Sequence, residues 1–95
     1  MNMQTFTEFE AEARAAGFDE VLTREWPAHQ VLDAHRHDFS VRAVVTRGEM
    51  WLTVGGHTLH LLPGGRFALD ADVEHAERYG PEGAAYWVAR RYARS

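Results

Sequence analysis

The feature that most constrains this chain is a change of period at Gly17. Before it, apolar residues recur at helical spacing; after it, apolar and polar residues alternate in short runs cut by glycine and proline. No second helical segment interrupts those runs. A βαβ architecture needs a helix at each crossover, so it is excluded, and an antiparallel all-β barrel preceded by one short N-terminal helix is expected. With 95 residues the chain suits a single domain spanning 1–95, the helix at 5–16 and the β-barrel at 19–95.

Within residues 5–16, Thr5 followed by Glu8 fits a capping box, in which hydroxyl and carboxylate each satisfy a free amide at the helix start. Phe6, Phe9, Ala13 and Ala16 form a narrow apolar stripe, and Gly17 can end the helix in a left-handed conformation. So short a helix does not stand alone, so its stripe should lie on a barrel wall or a partner subunit.

Strands are expected at 21–26, within 29–37, at 41–46, 49–54, 57–62, 66–69, 73–79 and 84–92, about eight in all. The expected turns are Arg47-Gly48, the hairpin Gly55-Gly56, Pro63-Gly64-Gly65 and the segment 80–83. Leu59 and Leu61 should face inward.

Cysteine is absent, which removes disulfides and thiolate metal sites and leaves six histidines as the metal-binding candidates. The net charge of −4, with Glu8, Glu10, Glu12, Asp19 and Glu20 near the start, argues against a nucleic-acid partner. Arg90, Arg91 and Arg94 form a small basic cluster explained by a solvated tail or a dimer salt bridge. No basic segment leads into an apolar one at the start, and no run approaches a membrane span. A cytoplasmic protein without a membrane partner is the expectation.

His35-Arg36-His37 is the most informative tripeptide. Alternate residues on a strand share a face, so both imidazoles can approach one cation if a third ligand closes the site from another strand. His75 is the candidate third ligand. Spacing alone leaves a bland alternative open: surface polar residues for the pair, and a hydrogen-bonded core residue for His75.

From Asp33 to His75 the sequence resembles the cupins, a superfamily of small β-barrels. Their first motif is a glycine, five residues, His-any-His, three or four residues, a glutamate, six residues and a glycine; His35, His37 and Gly48 fall in that register. Their second motif places a histidine eleven residues after a glycine, as Gly64 and His75 stand here. The resemblance implies a jelly-roll barrel that binds a divalent transition metal at its centre and often pairs into homodimers. Iron, zinc, nickel, manganese, cobalt and copper all suit imidazole and are not distinguished.

The departures bear on chemistry. The first motif glycine is His29, and the glutamate position is Val41, which by parity still points the way His35 and His37 do. The second motif's proline, glycine and asparagine are Asp70, Asp72 and Tyr79. Aspartate suits a turn, but the lost glutamate leaves three neutral imidazoles and open coordination positions, fit for a small polar or anionic ligand. Glu77 and Tyr79 share parity with His75 and are candidates for an oxygen ligand or proton-transfer group. For Glu77 the default is a rim residue paired with an arginine.

His57, His60 and His29 are expected outside the site. Trp26, Trp51 and Trp87 are expected to pack, and Arg42 to pair at the surface. The sequence thus predicts a metal-binding cupin of undefined activity. The alternatives are a metalloenzyme of oxygenase, isomerase or hydrolase type acting on a small oxygen-rich substrate, and a barrel that binds no metal.

Overall fold

The computed structural model describes residues 4–92, so Arg94 of the basic cluster lies outside the described residues. Helix α1 (Phe6–Ala15) begins at the expected capping box. The Glu8 amide donates to Thr5 Oγ1 at 3.1 Å, and the Thr5 amide donates to Glu8 Oε1 at 2.8 Å. These bonds to Thr5 hold the Glu8 carboxyl below its ordinary pKa. At the other end, the Phe18 amide donates to the Ala13 carbonyl and the Gly17 amide to the Arg14 carbonyl. Gly17, at φ 92°, makes this pair of bonds possible.

Six strands follow: β1 (Glu20–Trp26), β2 (Val31–His35), β3 (Phe39–Val54), β4 (His57–Leu61), β5 (Arg66–Leu69) and β6 (His75–Tyr92). All pairs are antiparallel. The count is lower than expected because four of the expected strands are halves of two long ones. β3 and β6 pair from Phe39↔Tyr92 to Thr53↔Ala76, with register shifts between Val45 and Arg47 and between Gly48 and Met50. Arg47-Gly48 and 80–83 are therefore corners inside continuous strands rather than turns between strands.

The corners divide each long strand between two facing walls. β1, the later half of β6, the first half of β3 and β5 make one wall. β2, the start of β6, the second half of β3 and β4 make the other. This is a jelly roll. Val41, Val45, Met50, Leu52, Phe67, Tyr79, Tyr86 and Val88 are buried between the walls. Glycine is required at the corner by contact as well as by conformation. A Cβ on Gly48 (φ 78°) would lie 2.1 Å from the Gly83 carbonyl oxygen, and one on Gly83 (φ 70°) 2.2 Å from that of Trp26.

Of the two surfaces open to the helix stripe, it takes the barrel wall. Phe9, Ala13 and Phe18 pack with Val44 and Ala89 on the outside of the first wall. Phe6 and Phe9 meet Trp87 at ring distances of 5.7 and 5.9 Å. Leu61 is buried as expected, but Leu59 is 48% exposed, because β4 is an edge strand of the sheet. No helix among the described residues is long and apolar enough to cross a membrane.

Candidate metal centre

His35 ends β2 and His75 begins β6, directly opposite each other in the ladder. His37 lies not on a strand, as expected, but in the connection from β2 to β3. That connection is held in place where the Asp72 amide donates to the His37 carbonyl at 2.7 Å. The side chains still converge: one ring nitrogen from each histidine lies within 4.8 Å of the others. Ring centroids are 4.4 Å apart for His35 and His75, 4.9 Å for His35 and His37, and 5.1 Å for His37 and His75.

Two ring protons follow from hydrogen bonding. Nδ1 of His35 lies 2.7 Å from the Asp33 carbonyl, and Nδ1 of His75 lies 2.9 Å from the Val73 carbonyl. A carbonyl only accepts, so each Nδ1 carries a proton and each Nε2 is turned into the site. His37 stacks on Phe39 at 4.7 Å with an 8° interplanar angle. Burial, then the neighbouring His75 and His35, hold its pKa below the ordinary histidine value, with Arg90 adding to the shift and Glu77 opposing it.

Glu77 is the largest departure from the sequence reading. It is no rim residue paired with arginine. It is 8% exposed, with Oε2 3.3 Å from His35 Nε2 and 3.6 Å from His75 Nε2. Its other oxygen accepts from the Tyr79 hydroxyl at 2.5 Å. Burial pushes the Tyr79 phenol far above its ordinary pKa, so it stays protonated and donates. Behind it, Trp26 stacks on Tyr79 at 5.5 Å, and its indole N–H donates to Tyr86 Oη at 3.0 Å. Burial raises the Tyr86 pKa as well. Val41 lines the cavity on the opposite wall without a polar atom to offer. A buried carboxylate from β6 thus stands beside the histidines, where Val41 offers none.

The donor set fits a divalent cation. An imidazole Nε2 and a carboxylate oxygen 3.3 Å apart call for a positive charge between them, a proton or a metal ion. Ligands around one first-row ion sit roughly 3–3.5 Å from each other, given metal–ligand bonds of about 2.0–2.2 Å. The His35–Glu77 spacing already has that value.

Beside the cluster is a cavity of about 340 Å³, lined also by Arg24, Trp26, Leu32, Phe39, Phe67, Leu69, Val88 and Arg90. The remaining histidines lie elsewhere. His60 stacks on Trp51 at 4.8 Å and places Nε2 2.6 Å from Glu49 Oε2, while His57 is exposed and His29 occupies a loop at φ 61°. Arg42 lies over the Phe18 ring at 4.9 Å rather than in the cavity.

No protein-family model matches the chain, and no curated protein matches it. Solved structures do. A DMSP lyase, DddQ from Ruegeria pomeroyi DSS-3, aligns at TM-score 0.68 and 22% identity, over 75% of this chain and 36% of that one. The cupin domain of Cnp3 from Schizosaccharomyces pombe aligns at 0.69 and 15%, over 77% of this chain and 55% of that one. An RmlC-like cupin from Shewanella frigidimarina NCIMB 400 aligns at 0.67 and 23%, over 79% and 67%. This chain therefore spans about a third to two thirds of the length of these proteins. At such identities the likeness is one of fold. The chain has the cupin fold, a jelly-roll β-barrel carrying one helix on its outer wall.

Proposed function

We propose that this chain is a metal-binding cupin, holding a divalent transition ion through His35, His37, His75 and Glu77 beside a cavity for a small polar or anionic ligand. The observation that carries this reading is the convergence of two oriented imidazole Nε2 atoms and a buried carboxylate on one point. When bound, such an ion polarises oxygen ligands as a Lewis acid. The protein's own residues supply orientation. The carbonyls of Asp33 and Val73 set the imidazoles, and Tyr79 holds the Glu77 carboxylate by its second oxygen. The partners in this reading are a small molecule and a second copy of the chain. The exposed apolar side chains of Val31 and Leu59 support the second partner.

An enzymatic form of this reading, acting on a small oxygen-rich substrate, is supported by Glu77, a carboxylate that lines the cavity and is held from behind by Tyr79, which itself does not line it. A turnover screen of small hydroxy acids and sugars tests it. Release of an altered product supports an enzyme, and tight retention of unaltered ligand supports a binding protein.

Elemental analysis of protein purified without a histidine tag should find close to one first-row metal per chain. His75→Ala should lose most of it. Unchanged occupancy in that variant would overturn the proposal.

A further inference from the structure

The cavity beside the histidines holds two cations that metal binding does not use. Arg24 on β1 and Arg90 on β6 face inward and line the same cavity as His35, His75 and Glu77. Both belong to the first wall, where Arg24 sits opposite Tyr86 and Arg90 opposite Glu20. Each guanidinium lies over an aromatic ring, Arg24 4.8 Å from the Trp26 centroid and Arg90 4.9 Å from that of Phe39. Stacking steadies the plane of the fork and leaves its N–H edges available.

The two arginines differ from those outside the barrel. Arg14, Arg36 and Arg47 are solvent-exposed and each pairs with a glutamate. Among the described residues no carboxylate pairs with Arg24. Arg90 gives Nη1 to Glu20 at 3.3 Å, and its buried Nε meets no acceptor among the described residues. Of the acidic groups nearby, Glu20 engages one nitrogen of Arg90, Asp33 is exposed at the rim, and Glu77 is held in the histidine cluster, so none of them pairs with Arg24.

We propose that Arg24 and Arg90 form an anion-binding wall, and that the ligand is a short-chain dicarboxylate reaching from this wall to the histidine cluster. The ligand's far end rests on the metal-binding reading, but its near end does not. The cavity of about 340 Å³ is near the lower limit of small-molecule sites, which favours a short ligand. Planar guanidinium forks recognise carboxylates in preference to neutral isosteres.

The test is calorimetric titration of malonate, succinate and their diamides into the full chain, metal-free and loaded with Zn(II). At least one dicarboxylate should bind, and its diamide should bind far more weakly. Arg24→Gln should weaken dicarboxylate binding by about tenfold or more in both metal states and leave zinc content unchanged. Arg24→Lys, which keeps the charge but loses the fork, should fall between. Equal affinity for acid and diamide, or unchanged affinity in Arg24→Gln, would overturn the wall. Arg24 is the deciding position because it is partly exposed and unpaired, whereas Arg90→Gln also strands Glu20. If zinc fails to bind but dicarboxylate binding still depends on Arg24, the wall stands and the metal reading falls. Zinc retention without that dependence overturns the wall alone.

Discussion

Glu77→Gln keeps the side chain's volume and its bond from Tyr79 while removing the charge, so it separates coordination from packing. If Glu77 completes the metal set, metal affinity should fall by at least about a hundredfold in competition with a chromophoric chelator, with the fold intact by circular dichroism. Unchanged affinity would mean that Glu77 lies outside the metal set. Tyr79→Phe should cost about tenfold to a hundredfold, because the carboxylate loses the donor that orients it. Part of this was legible in the sequence. Parity placed Glu77 and Tyr79 on the face of His75, and the valine at 41 announced a missing ligand. The place of Glu77 beside the histidines was not legible, because it depends on β2 pairing with β6, which sets Leu32 opposite Glu77 and His35 opposite His75. No local pattern encodes a contact over that separation. The place of Arg24 and Arg90 at the cavity was missed for the same reason, one falling within an expected strand and the other read as part of a basic cluster in a solvated tail or a dimer salt bridge.

At the scale of elements, the helix and the Gly55-Gly56 hairpin were readable because their signals are local: a capping box, an apolar stripe, paired glycines. The corners were not. Glycine marks both a turn that ends a strand and a bulge that bends it, and only the partner strand decides between them. Here β3 and β6 bend together, so both remain paired through the corner. Gly48→Ala should therefore be severe. It places a Cβ against the Gly83 carbonyl and forces a side chain into positive φ, with a loss of more than about 3 kcal/mol in urea unfolding. Thr5→Ala should cost only about 1 kcal/mol, the usual value of a helix cap.

For the whole molecule, a thin core makes ligand linkage visible. Zinc at about a hundred times its Kd should stabilise the protein by about 2.7 kcal/mol, raising Tm by on the order of 10 °C for a chain of this size. His75→Ala should abolish the shift, and an equal shift in the variant would place the zinc elsewhere. A different consequence follows from the continuity of β6. Beyond its corner, Tyr86, Val88 and Arg90 look into the cavity while Trp87 and Ala89 receive the helix. One ribbon thus writes two surfaces in alternate letters, and the corner at 80–83 sets the reading frame between them. A single residue inserted there would exchange the texts, turning the arginine outward under the helix and the tryptophan into the cavity, while the histidines upstream kept their places. Two inserted residues would restore the frame.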